Sequence, residues 1–187
     1  MLAGPNGAGK STFYDVFLRE SPLPFLNADL LAAELKIDSL EAARILDATR
    51  ERMIEDRLGF ITETVFSDPY GAKLDMLKAA VDHGYDVTLI YIGVASAELS
   101  ARRVDQRVAI GGHDVPRERI ASRFKRSLTN LRKAIELVPN VVLHDNSSYD
   151  DPYRHVATFV SGVLTVRTPG AVPRWARPIL AGKSRSR

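Results

Sequence analysis

The chain contains no cysteine. That absence removes disulfide bonds, cysteine-ligated zinc and thiol catalysis together, and it suits a reducing compartment. Long apolar runs are missing too. No stretch approaches the roughly 20 residues a membrane-spanning helix needs, and the first residues lack a signal-peptide pattern. These absences set the expectation of a soluble, cytoplasmic protein without a membrane partner. No internal repeat or low-complexity segment interrupts the 187 residues, and 45% of them are hydrophobic, so one domain with one sizeable core is expected. Acidic residues are absent from Arg167 onward, where Arg167, Arg174, Arg177, Lys183, Arg185 and Arg187 stand alone. Taking those six from the 26 basic residues leaves 20 against 23 acidic ones, so the net charge of +3 is local to the tail. A slightly acidic body argues against a nucleic-acid partner, and the basic tail reads as a solvated chain end.

What is present announces itself at once. Gly4, Pro5, Asn6, Gly7, Ala8, Gly9, Lys10, Ser11 and Thr12 fit the Walker A pattern G-x-x-x-x-G-K-[ST] in full. Glycines at 4, 7 and 9 let the backbone curl so that successive N–H groups meet phosphate oxygens, and the helix opened by Lys10 and Ser11 adds its N-terminal dipole. In such a loop the lysine reaches the β- and γ-phosphates and the serine hydroxyl holds Mg²⁺. ATP and Mg²⁺ are therefore the expected ligands, with Gly4 to Thr12 as the cradle and Ser11 as the metal ligand. A P-loop hangs from the end of a buried parallel strand. Only Met1, Leu2 and Ala3 precede Gly4, so that strand is expected to be clipped or a stump.

Helical periodicity alternates with short apolar runs, the pattern of a parallel α/β sheet flanked by helices. Strands are expected at Phe25 to Asn27, reaching Asp29, at Phe60 to Val65, at Asp86 to Ile92 and at Val141 to His144. Helices are expected from Ser39 to Leu58 with Gly59 as the stop, from Pro69 to His83, from a Ser96 cap to Ile110, and from Pro116 to Leu137. Tyr153 to Thr168 alternates around Ser161-Gly162 and reads as a β-hairpin. The organisation is a single P-loop domain over 1–168, with an arginine-rich segment at about 100–127. A proline-containing basic extension follows over 169–187, with Trp175 able to pin against the body.

A Walker A motif does not by itself separate ATPase, switch and kinase. In parallel sheets ligands lie at the carboxyl ends of the strands, which directs attention to Asp29, Glu63-Thr64 and Asp145-Asn146. Asp29 is the candidate general base, because a carboxylate across from the transferred phosphate can accept the proton of an attacking hydroxyl. Helix capping is its structural alternative. Glu63 is a charge in an apolar strand and calls for a polar partner. Eight basic residues crowd Arg102 to Arg126, with Arg103 and Arg107 on one helical face and Arg119 and Arg123 on another. Helices so rich in arginine around Gly111-Gly112 look like a kinase lid, in which guanidinium groups stabilise charge on the transferring phosphoryl. His113, beside that pair, is a candidate substrate contact.

Leu-Ala-Gly-Pro-Asn-Gly-Ala-Gly-Lys-Ser-Thr, Asn-Ala-Asp at 27–29, Glu-Thr at 63–64, Gly-Gly-His-Asp-Val-Pro at 111–116, Arg123 and Asp-Asn-Ser at 145–147 together resemble the zeta-toxin-type P-loop kinases. The similarity runs over about residues 1–175 and is strongest to a stand-alone branch often labelled ABC-type ATPase. That label does not suit the residues. There is no Leu-Ser-Gly-Gly-Gln signature, and Asn146 follows Asp145 where such ATPases need a glutamate. Zeta toxins phosphorylate a sugar hydroxyl of UDP-N-acetylglucosamine with ATP. The resemblance implies that Lys10 and Ser11 hold ATP and Mg²⁺, Asp29 is the base, Glu63 with Thr64 grips the sugar, and Arg107 and Arg123 are lid arginines. It also implies a protein antitoxin as a partner. Two departures bear on the acceptor: Val65 replaces the family's second threonine, and the lid differs in length from that of the toxins. A nucleotide-binding module without catalysis and a nucleotide or polynucleotide kinase are the competing readings.

Overall fold

The computed structural model describes residues 1–111 and 115–181. Its strands are β1 (Leu2–Ala3), β2 (Phe25–Leu26), β3 (Ile61–Thr64), β4 (Thr88–Gly93), β5 (Asn140–Asp145), β6 (Arg154–Val160) and β7 (Val163–Arg167). They form one sheet in the order β2-β3-β1-β4-β5-β6-β7. The five strands from β2 to β5 run parallel, and β6 and β7 continue the sheet antiparallel. The helices are α1 (Lys10–Phe13), continuing as a π-helical turn over Tyr14–Leu18, α2 (Ala28–Leu35), α3 (Ser39–Glu55), α4 (Ala72–Asp82), α5 (Ala97–Ala109), α6 (Arg117–Leu137) and α7 (Arg177–Leu180). This is the α/β, P-loop NTPase-type sheet with a C-terminal hairpin that the sequence pattern implies.

Period-two alternation explains how one strand serves two layers. Along β4, Leu89 and Tyr91 face a core shared with Leu77 of α4 and Leu131 and Ile135 of α6. Ile92 and its partly buried neighbour Ile90 face a second core with Phe13 of α1. β1 divides in the same way, Leu2 into the second core and Ala3 into the first. Although only two residues long, β1 pairs with β3 on one side and β4 on the other, and both its side chains are wholly buried. The P-loop therefore leaves the middle of the sheet.

Several boundaries differ from the periodicity, each for a local hydrogen-bonding reason. The second strand ends at Leu26 because Asn27 Oδ1 turns to accept the N–H groups of Asp29 and Leu30 at 2.9 and 3.2 Å, starting α2. Asp29 thus sits in the first turn of a helix rather than at a strand end, and Asn27 holds the cap. The long α3 stops at Glu55, short of Gly59: Arg57 adopts φ 56° and Leu58 N donates to Met53 O at 2.9 Å, a left-handed termination made without glycine. α4 starts at Ala72, since Asp68 gathers the N–H groups of Tyr70, Gly71 and Lys73 into a loop. The hairpin turn falls on Ser161 and Gly162, with φ of 48° and 77°, the geometry that two-residue loops favour.

Residues 169–181 fold back on the body. Trp175, Ala176 and Ile179 join the first core, at 3%, 0% and 4% exposure. The indole lies on Gly93 at the end of β4, where a Cβ would come within 2.2 Å of Trp175 Cε2. Its Nε1 donates to Asp145 Oδ1 at 2.8 Å. Lys183, Arg185 and Arg187 of the basic tail lie outside the described residues. Trp175→Ala is expected to cost about 3–5 kcal/mol by emptying this site, read as a lower urea midpoint at unchanged m-value.

Candidate active site

The P-loop glycines take the left-handed conformations that the curl demands, with φ of 146°, 67° and 88° at Gly4, Gly7 and Gly9. Gly9 is also held by crowding: a Cβ there would lie 2.6 Å from Asn146 Nδ2 and 2.8 Å from Tyr153 Oη. Those two groups brace the loop from behind. Asn146 Nδ2 donates to Ala8 O at 2.9 Å and Tyr153 Oη to Gly9 O at 2.8 Å. Ser100 Oγ donates to Asn6 O, tying the loop to α5. Asn6 Oδ1 is buried without a partner, an acceptor left over on the residue that helps to line the cavity in front.

That cavity, about 290 Å³, is lined by Asn6, Gly7, Gly9, Lys10, Ser11 and Thr12 of the loop together with Asp29, Glu63, Val65, Arg103 and Arg107. Lys10 is only 7% exposed, and its Nζ donates to Pro5 O at 3.2 Å and lies 3.7 Å from Glu63 Oε1. Burial pulls the Lys10 pKa below its ordinary value; Glu63 and Asp29 oppose that shift and Arg107 adds to it. The lysine is thus a desolvated cation among two carboxylates. Glu63 is committed to this arrangement: Ser11 Oγ and Asn27 Nδ2 both donate to its Oε2, at 2.9 and 3.0 Å. Its carboxylate lies against the P-loop and supplies the counter-charge that a buried lysine needs.

Asp29 lines three cavities at once. Besides the P-loop cavity, it borders one of about 210 Å³ with Asn27, Asp47, Arg50, Thr64 and Lys73, and one of about 300 Å³ with Ser11, Tyr14, Phe25, Leu30 and Arg107. Thr64 sits on the wall of the first, its Oγ1 accepting the N–H of Phe66 at 3.0 Å. Arg107 lines both the P-loop cavity and the third. Arg123 borders none of these three. It lies half-buried on α6 beside Arg119 and Arg126, and burial followed by those two charges lowers its pKa. His113 lies outside the described residues. Asp145, the last residue of β5, accepts from Trp175 and Ser147 and lies 3.7 Å from Arg154, away from the P-loop cavity.

Sequence reasoning noted Arg103 beside Arg107 and Asn146 at a strand end without giving either a role at the loop, and it passed over Tyr153. Arg103 lines the P-loop cavity, donates from Nη1 to Asn146 O at 2.7 Å, and holds its guanidinium 5.0 Å from the Tyr149 ring. Its place one helical turn before Arg107 is the signal that already put the two on one helical face. Nothing local in the sequence pairs Asn146 or Tyr153 with residues 8 and 9.

A family model described as an AAA domain matches residues 1–131. The chain belongs to that P-loop family. A protein of Haemophilus influenzae described as uncharacterized is 28% identical over 127 residues, 65% of this chain and 88% of that one. Among solved structures, the AvrRxo1-ORF1:-ORF2 complex with ATP superposes with a TM-score of 0.66 at 17% identity, covering 88% of this chain and 59% of the other. This chain thus spans about three fifths of that relative. The PezAT chromosomal toxin-antitoxin system of Streptococcus pneumoniae superposes with a TM-score of 0.60 at 16% identity, over 98% of this chain and 78% of that one. The zeta-toxin-type P-loop fold implied by the motifs is the fold observed. No helix among the described residues is long and apolar enough to cross a membrane.

The histidines beside the bracing residues are expected to make the fold sensitive to acid. His144 Nδ1 contacts Tyr153 O at 2.8 Å, and the ring lies between Phe13 and His155. Burial lowers the pKa of His144 below 6.5, and burial together with His144 lowers that of His155. The unfolded chain therefore takes up these protons first. Their contribution is complete above pH 6.5 and is lost as pH falls below it. The urea midpoint is expected to drop between pH 7 and pH 5, and His144→Asn should flatten that drop; an equal slope in both proteins would exclude the histidine as its source.

Proposed function

We propose that the protein transfers the γ-phosphoryl group of ATP to a hydroxyl of a small molecule, with a nucleotide sugar such as UDP-N-acetylglucosamine as the first acceptor to test. The observation that carries this reading is the position of Asp29, on the shared wall of the P-loop cavity and two neighbouring cavities. A carboxylate there has phosphate-binding groups on one side and room for a hydroxyl on the other. Because Asn27 caps α2, Asp29 is not needed as the cap.

In this mechanism the acceptor oxygen attacks the γ-phosphorus, Asp29 takes the hydroxyl proton as the new P–O bond forms, and the bond to the β-phosphate oxygen breaks to release ADP. Lys10, Arg103 and Arg107 supply positive charge around the phosphates where charge is redistributed. Ser11 Oγ and Glu63 Oε2, side by side, form an all-oxygen pair suited to Mg²⁺. Held there, the ion would supply positive charge to the phosphates. Arg123 and His113 would act only through a lid that closes over the bound acceptor. A protein antitoxin that silences the enzyme is part of the same reading, supported by the motif resemblance and by the fold shared with a toxin-antitoxin system.

Assay of ATP consumption against paired acceptors, UDP-N-acetylglucosamine first, tests the proposal. Asp29→Asn should keep fold and ATP affinity while lowering turnover by about 10²- to 10⁴-fold. Retained turnover would remove Asp29 as the base. Lys10→Ala should cut transfer by about 10²-fold or more, and expression of a toxic kinase should slow growth as wild type and not as this variant.

A further inference from the structure

The cavity on the far side of Asp29 has charge of opposite sign at its two ends. Asp29 and Glu63 stand toward the P-loop, while Asp47 and Arg50 of α3 and Lys73 of α4 line the rest. Arg50 is the unusual member. Its side chain is only 5% exposed, its Nε donates to Thr62 Oγ1 at 2.8 Å, and its Nη1 donates to Asp47 Oδ1 at 2.5 Å. Nη2 makes no hydrogen bond to the described residues, and it is not among their fully enclosed polar atoms without a partner. The third edge of the guanidinium therefore retains access, on a residue that lines a cavity.

Lys73 Nζ donates to the same Asp47 Oδ1. One carboxylate oxygen thus serves two cations, and this end of the cavity carries a net charge of +1 from Arg50, Lys73 and Asp47. A buried guanidinium is costly unless it is fully paired, and its planar fork suits a phosphate. A purely structural arginine bridging α3 to β3 would need only Nε and Nη1. The open Nη2 and the unspent donors of Lys73 call for a second anion.

We infer that this cavity is an acceptor subsite in which Arg50 and Lys73 bind a phosphate group carried by the acceptor, while the acceptor hydroxyl meets Asp29. This assignment rests on the phosphotransfer reading for its hydroxyl end, but the anion site itself does not. The acceptor is thereby a phosphorylated hydroxyl compound oriented end to end, anion toward α3 and α4, hydroxyl toward the P-loop. A neutral polyol would leave the two cations of the basic end with Asp47 alone as their shared counter-ion.

Calorimetric titration with inorganic pyrophosphate tests this in the full chain. Wild type should bind two equivalents. Lys10→Ala should lose the P-loop equivalent and keep the other. Lys73→Gln, at a side chain 20% exposed, should weaken the other by about tenfold or more and keep the P-loop equivalent. Asp47→Asn should act in the opposite direction and tighten the second site several-fold, since it removes the competing anion; a merely structural cluster would show no gain. A single equivalent abolished by Lys10→Ala and indifferent to Lys73→Gln and Asp47→Asn overturns the inference. Loss of the Lys10-dependent equivalent alone from wild type would instead count against the phosphotransfer reading and leave the second site standing.

Discussion

A lysine ammonium taken almost wholly out of water is the condition that the rest of this molecule meets. Burial works against the charge on Lys10, and the nearby carboxylate of Glu63 works most strongly for it. The register of the sheet brings it there: β1 and β3 are neighbours, with Leu2 opposite Glu63 and Ala3 opposite Thr64. Ser11 and Asn27 then use the remaining carboxylate capacity. One ion pair at the centre of the sheet thereby links the P-loop, Ser11 and the cap of the helix that carries Asp29.

The loop is also held from the opposite side, by the chain beyond β5. Asn146 and Tyr153 hydrogen-bond to Ala8 and Gly9, and the aromatic contacts of Phe13 with Tyr153 and His144 extend the same support into α1. Trp175 closes the arrangement by filling the space over Gly93 and bonding Asp145. The C-terminal hairpin and the segment after it therefore pack against the strand ends from which the P-loop cavity is built. Preorganisation of this kind matters because a cradle that is already shaped needs little reorganisation when charge moves in the reaction.

Charge is distributed to match. Arginines from α5 and the P-loop lysine face the phosphate side of Asp29, while Arg50 and Lys73 face it from beyond β3. Asp29 thus has cationic side chains in the cavities on both sides of it. Arg126 of α6 takes a different part: its Nε donates to Ser67 O, and with Asn130 Nδ2 donating to Phe66 O it fastens that helix to the turn after β3.

Local patterns were sufficient for the P-loop, the alternation of strands and helices, the Ser161-Gly162 hairpin and the candidacy of Asp29, because each rests on residues within a turn or two of one another. The glycine spacing at 4, 7 and 9 and the period-two run through β4 carry their structural meaning on their face. Boundaries such as Leu26 and Glu55 were harder, since a side-chain cap at Asn27 and a left-handed Arg57 compete with periodicity. Tertiary structure alone decided that Glu63 serves the lysine, that Arg103 rather than Arg123 lines the phosphate cavity, and that Arg50 meets Lys73 across Asp47. Those pairings join residues tens of positions apart, and their energies depend on burial and distance, quantities that exist only once the sheet has brought the segments together.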